Sequence, residues 1–202
     1  MKAPIYIDFG PTSLSATPWN NITSHQESST TSWIKDVENN YTNIGVRVLD
    51  GFTATHAGVG SEPASPVTVD GVEFPLTAWK DGLLVKGEKN QGDVGPGRIE
   101  ISQLDVARKY NFTILAIRFN GSKDARISSY KLVGKTESAV KEVKTGIKDA
   151  ASFAAANFEE YIAKFENVEP DSEGKVIVEV KGLDTGSAAE GHINALCISL
   201  AK

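Results

Sequence analysis

The chain is poor in the groups from which many sites are built. Its one cysteine, Cys197, excludes an intrachain disulfide and a cysteine-based zinc site, and reads most simply as a small buried hydrophobe. The three histidines, His25, His56 and His192, are scattered, and none falls in an H-x-x-x-H or H-E-x-x-H spacing. No G-x-S-x-G elbow occurs, which removes a serine esterase of the α/β-hydrolase type. The glycine-rich stretch 91–97 (QGDVGPG) lacks a Lys-Ser/Thr tail and opens no helix, so it is not a phosphate loop. Basic charge is scarce as well: 21 Lys and Arg stand against 26 Asp and Glu, for a net charge of −5. The densest basic stretch, 135–148, interleaves Lys135, Lys141, Lys144 and Lys148 with Glu137 and Glu142. That is a solvated face, not a nucleic-acid surface. No apolar run reaches the ~18 residues of a membrane span, and Met1-Lys2-Ala3-Pro4 leads into a strand with no signal-peptide core.

What is present is strand pattern. Residues 110–119 (YNFTILAIRF) are rich in β-branched and aromatic side chains and run up to a turn at Asn120-Gly121. Tyr110, Phe112, Ile114 and Ala116 fall on one side, with Thr113, Leu115, Ile117 and Phe119 on the other. Both faces therefore expect cover, as in a central sandwich strand. Alternation in 98–104 (RIEISQL) and 128–134 (SSYKLVG) predicts two flanking strands and a three-stranded meander. Further strands are expected at 5–9, 33–37, 45–50, 67–69, 83–85, 139–143, 162–168, 175–180 and 192–200. One helix is expected at 148–160, capped by Asp149, with Phe153, Ala154, Asn157, Phe158 and Tyr161 near a 3.6-residue period. With 202 residues and 40% hydrophobic composition, the chain suits one domain, 1–202. The fold class that follows is all-β: an antiparallel sandwich or jelly roll with one short helical insertion.

The segments IYIDFG, PWNNIT, SQLDVARKYNFTILAIRF, SSYKLVGK, FENVEPDSEGKVIVEV and INALCISL occur in that order. In this the chain resembles the galactose-binding-like jelly rolls and carbohydrate-binding modules of exported proteins in glycan-degrading Bacteroidetes. The resemblance implies a non-catalytic module, secreted, periplasmic or cell-surface, with its leader outside this sequence. It also implies a polysaccharide or oligosaccharide ligand and places ligand contacts at Trp19, Asn20, Asn21, Arg118 and Arg126. Two departures from the pattern are Ile117, where a serine usually precedes the arginine, and the stretch 135–160, which looks like an insertion. No cofactor is implied and no metal site carries over; a calcium ion bracing the loops stays open, as does the oligomeric state.

The residue types support the same chemistry independently. A pyranose offers an apolar C–H face and a rim of hydroxyls, which suit an aromatic platform with planar amides and guanidinium groups. Trp19 beside Asn20 and Asn21 in the long polar region 12–32 is such a cluster, and Arg118 with Asn120 ends a rigid strand. The alternative is that Trp19 folds back as a lid while the asparagines cap turns. Trp33 is expected in the core, and Trp79 is either a plug under a loop or a platform. Two further classes remain: a glycosidase with a carboxylate pair, for which Asp8 and Glu100 are the residues to compare, and a structural or adhesin-like sandwich.

Overall fold

Alternating burial sorts the strands, numbered in chain order, into two facing layers. The computed structural model describes residues 1–58, 60–86, 95–119, 126–183 and 190–202. One layer is a five-stranded sheet in the order β15 (Ile162–Val168), β10 (Tyr110–Leu115), β18 (Ala195–Leu200), β1 (Ile5–Phe9) and β2 (Trp19–Ile22). The other has six strands: β13 (Lys141–Lys144), β12 (Ile127–Val133), β16 (Val176–Gly182), β9 (Gly97–Ser102), β4 (Gly45–Asp50) and β3 (Thr30–Thr31). A three-stranded sheet is formed by β17 (Glu190–Ile193), β8 (Gly82–Lys86) and β5 (Ala54–His56). Among the described residues there are also two short pairs, β6 (Val67–Val69) with β7 (Val72–Phe74) and β11 (Arg118–Phe119) with β14 (Gly146–Ile147). The chain is thus an all-β sandwich with a small helical insertion.

The core lies between the two large sheets. Ile5, Ile7, Phe9, Phe112, Ile114, Leu196 and Ile198 point inward from one layer and meet Val46, Val48, Ile99, Ile101, Tyr130, Leu132, Val176, Val178 and Val180 from the other. At roughly 1.5–3 kcal/mol for each fully buried large aliphatic or aromatic side chain, this interface is the main source of stability. The second apolar face of 110–119 is also covered. Leu115, Ile117 and Phe119 join a separate cluster with Phe74, Trp79, Ile147, Phe153 and Tyr161 on the outer side of the five-stranded sheet.

The meander does not form. Strand β10 pairs with β15 and β18, whereas β9 and β12 both lie in the opposite layer, on either side of β16. After β9 the chain crosses between layers through residues 103–109, where Leu104 N–H donates to Gly174 O at 2.9 Å and Asp105 N–H to the Tyr110 hydroxyl at 2.9 Å. Alternation records which face of a strand is wet, not which layer the next strand enters, so the crossing left no trace in the pattern. The stretch 110–119 is likewise interrupted: β10 ends at Leu115, and Arg118–Phe119 pair with β14 instead. The turn expected at Asn120-Gly121, the Asn120 side chain and most of the 91–97 stretch lie outside the described residues.

The helix is shorter than its period promised. Asp149 does cap it, accepting the Ser152 N–H at 2.8 Å, but α2 covers only Ala150–Ala154. Asn157 then accepts the Glu159 N–H at 3.3 Å and starts a separate 3₁₀ turn, Phe158–Tyr161, because a short polar side chain offers the backbone a local alternative to the helix. A helix absent from the sequence reading, α1 (Leu76–Lys80), follows Pro75 and buries Trp79 against Phe153, ring centroids 4.9 Å apart.

Candidate functional site

Trp19, Asn20 and Asn21 are not loop residues. They form the edge strand β2, which runs parallel to β1 with Trp19 opposite Tyr6. The half-buried Trp19 ring packs 5.1 Å from Tyr6 and 5.6 Å from Phe74. Asn20 accepts the Lys35 N–H at 2.8 Å and donates to Lys35 O at 2.8 Å and Tyr6 O at 2.9 Å. Asn21 likewise takes the Ser15 N–H at 2.8 Å and returns a bond to Ser15 O at 2.9 Å. Both amides hold backbone, Asn20 that of Lys35 and Tyr6 and Asn21 that of Ser15.

Arg118 and Arg126, in contrast, converge. The break at Ala116 and Ile117 turns the chain off the end of β10. Arg118 N–H then donates to Thr145 O at 2.6 Å while Thr145 N–H donates to Arg126 O at 2.9 Å, so both arginines flank one residue. The Arg126 guanidinium pairs with Glu190 at 2.5 Å, and that carboxylate lies 3.6 Å from His192 Nε2. Arg118 Nη1 donates to Ala57 O at 3.0 Å. Behind them the rings of His56 and His192 meet edge to face at 4.9 Å. The His192 backbone is fixed on both sides, its N–H donating to Ser128 Oγ at 3.0 Å and its carbonyl accepting from the Tyr130 hydroxyl.

The electrostatics follow from this packing. His192, together with the charges of Arg126 and Arg118, holds the Glu190 carboxyl down at about 2 against the opposing effect of burial. Burial, helped by the neighbouring Arg126 charge, pulls the Arg118 guanidinium below its ordinary value. Burial also pulls both histidines down, so the rings are neutral. Among the described residues, the buried polar atoms without a hydrogen-bond partner include His56 Nδ1, His192 Nδ1, and the Nε atoms of Arg118 and Arg126. Each such atom costs about 1–3 kcal/mol. A fold that concentrates them in one place gives up stability there, which marks the cluster as the candidate site.

The carboxylates compared for a glycosidase do not face each other. Asp8 lies on β1 and Glu100 on β9, in opposite layers, and Glu100 sits 3.8 Å from Lys175. The charge that faces Asp8 belongs to Asp81, and burial together with that charge raises Asp8 to about 7. Both acids secure the loop after β1: Asp8 accepts the Ser15 N–H at 3.0 Å, and Asp81 accepts Thr12 N–H at 2.7 Å and Ser13 N–H at 3.1 Å. Gly10 is required there, since a Cβ would stand 2.5 Å from Asp81 Cγ and its φ is +142°. No group of three or more His, Cys, Asp or Glu among the described residues could hold a metal ion.

No protein-family model matches the chain, and no curated protein does. Among solved structures, the plant receptor-like kinase ANX2 aligns with a TM-score of 0.51 at 8% identity, over 86% of this chain and 53% of that one. The ANX2 ectodomain from Arabidopsis thaliana aligns with a TM-score of 0.50 at 10% identity, over 77% and 42%. Protein YXIM from Bacillus subtilis aligns with a TM-score of 0.47 at 12% identity, over 98% and 40%. The likeness is one of fold. The chain spans about half the length of these structures, or less.

Three residues of the cluster, His56, Glu190 and His192, had no signal in the sequence, since pairing of β17 and β5 to β8 is what assembles them. The tryptophans also exchange places. Trp79 is fully buried, whereas Trp33, expected in the core, is 65% exposed. Trp33 has a φ of +62°, which turns its side chain out of the strand pattern that had placed it inside.

Proposed function

We propose that the chain is a non-catalytic, galactose-binding-like domain that holds a polysaccharide through Arg118, Arg126 and Glu190. The observation that carries this reading is the convergence of two guanidinium groups and one carboxylate at the end of rigid strands, over a floor of unsatisfied polar atoms. Guanidinium groups donate in a planar fork and a carboxylate accepts at two oxygens, a combination that matches the adjacent hydroxyls of a sugar. The neutral, buried His56 and His192 shape the floor and do not present a reactive atom to solvent. In this reading Trp19, Asn20 and Asn21 position the edge strand and leave the sugar to the arginines. Export to the periplasm, cell surface or medium is the setting that fits a polymer ligand. Binding at one site would be weak and would gain from repetition along the polymer.

The test is affinity electrophoresis through gels containing neutral and acidic polysaccharides, comparing the wild type with Arg118→Ala. The expected result is retardation of the wild type on at least one polymer and at least ten-fold weaker retardation of the variant. Equal mobility of both proteins in every gel would remove the site.

A further inference from the structure

Trp33 breaks two rules at once. Its indole is 65% exposed, although large aromatics usually pack, and its φ of +62° puts a bulky side chain in the left-handed region at a cost of about 1–2 kcal/mol. The segment that carries it is otherwise regular. Ile34, Asp36, Thr42 and Ile44 are buried, while Trp33, Tyr41 and Asn43 are exposed and Lys35 is half-buried. One face of this hairpin therefore enters the sandwich, and the other presents two aromatic rings, an amide and an ammonium group. Tyr41 is 72% exposed, and the Lys35 ammonium lies 4.7 Å over its ring.

The display is rigidly mounted. Ile34 N–H donates to Ile44 O at 3.2 Å, Thr42 N–H to Ile34 O at 2.9 Å, and Lys35 and Tyr41 form a β-bridge. Asp36 accepts the N–H groups of Glu38 and Asn40 across the tip. The Asn20 amide grips Lys35 at both its N–H and its carbonyl, and Val37 N–H donates to Pro4 O at 2.8 Å. Rigid backbone holding an exposed ring in an unfavourable conformation is what a preformed binding surface requires.

We infer that Trp33, Lys35, Tyr41 and Asn43 form a second saccharide-binding surface, with the Trp33 indole as the platform for a pyranose face; this rests on the glycan-binding reading above. It is separate from the arginine cluster. β9 begins at Gly97, in the part of the sheet where β12 starts just after Arg126, and ends at Ser102 opposite Gly45, which follows the hairpin. Five residues of strand put the two places at least about 16 Å apart. The surroundings favour a sugar over a second protein. Ser32, Glu38, Asn39 and Asn40 are exposed around the two rings, and so small an apolar area falls short of the ~800 Å² per partner of a stable protein interface.

The decisive variant is Trp33→Gly, because glycine accepts the left-handed backbone and removes only the ring. Its melting temperature should equal or exceed that of the wild type, while retardation by a polysaccharide that binds the wild type should weaken at least five-fold. Soluble oligosaccharide should also shift the wild-type indole emission to the blue, a change lost in Trp33→Gly. Loss of retention in Arg118→Ala with wild-type retention in Trp33→Gly would overturn this inference and leave the arginine site standing. Loss in Trp33→Gly with Arg118→Ala unaffected would support the hairpin surface and remove the arginine site. A wild type retained by no polysaccharide would overturn both.

Discussion

Replacing Asn194 with alanine should cost about 4 kcal/mol. Its side chain accepts the Ile117 N–H at 2.7 Å and donates to Trp79 O at 2.9 Å and Asp81 O at 2.6 Å. All of these residues are fully buried, so water cannot take over the bonds. Alanine orphans one N–H and two carbonyls, each at roughly 1–3 kcal/mol, with the carbonyls toward the lower end because each has a second lone pair. The sum of about 3–6 kcal/mol is a large part of the ~5–15 kcal/mol that stabilises a typical domain. At about 2–4 °C per kcal/mol for a chain of this size, the melting temperature should fall by roughly 10–15 °C. Asn194→Asp separates donor from acceptor loss, since an ionised carboxylate keeps the bond from Ile117 but faces two carbonyls. It should be at least as damaging as alanine at pH 8 and milder at pH 4, where the protonated acid can donate once. Urea titration followed by near-ultraviolet circular dichroism and by calorimetry measures both. A loss below about 1 kcal/mol for the alanine variant would mean that the three buried backbone groups find other partners.

Two further outcomes concern pH. His56 and His192 are held below their ordinary value of 6.5 by burial, so their contribution to stability is present above that value and is lost as the pH falls. The unfolding free energy should drop between pH 7 and 5 by up to about 1.4 kcal/mol per pH unit for each ring, and His56→Gln with His192→Gln should flatten that slope; an unchanged slope would show that the buried rings do not set it. Asp8 behaves in the opposite sense: raised from 3.8 to about 7, it contributes stability that is fully present below 3.8 and lost as the pH rises through 7. Asp8→Asn, which cannot ionise, should therefore exceed the wild type at pH 8 by up to about 4 kcal/mol, and no gain there would show that the buried acid is not strained.

The parts of the fold legible in the sequence were those set by local alternation. The two apolar faces of 110–119 do enter two separate clusters, and Asp149 does cap a helix. What failed was pairing, because layer and neighbour depend on crossings such as 103–109 that leave no periodic mark. Asn194 shows the same limit. Expected inside a single final strand, 192–200, it is instead the point where that strand leaves β8 and joins β1 and β10. In the candidate site, Arg118 was visible at the end of a strand and Arg126 only through the family resemblance, while Glu190 and His192 become meaningful only once β17 lies beside β8. Trp33 was misplaced because a left-handed residue interrupts the two-residue period on which its burial was judged.

The register of β1 against β18 also governs how the molecule would respond to load. Ile5 lies opposite Ile198, so the two chain ends leave the sheet side by side and in the same direction. Tension applied between them peels the strands apart one rung at a time instead of shearing all the rungs together. A chain held through the segments that flank these two strands would thus open at small force, starting at β1.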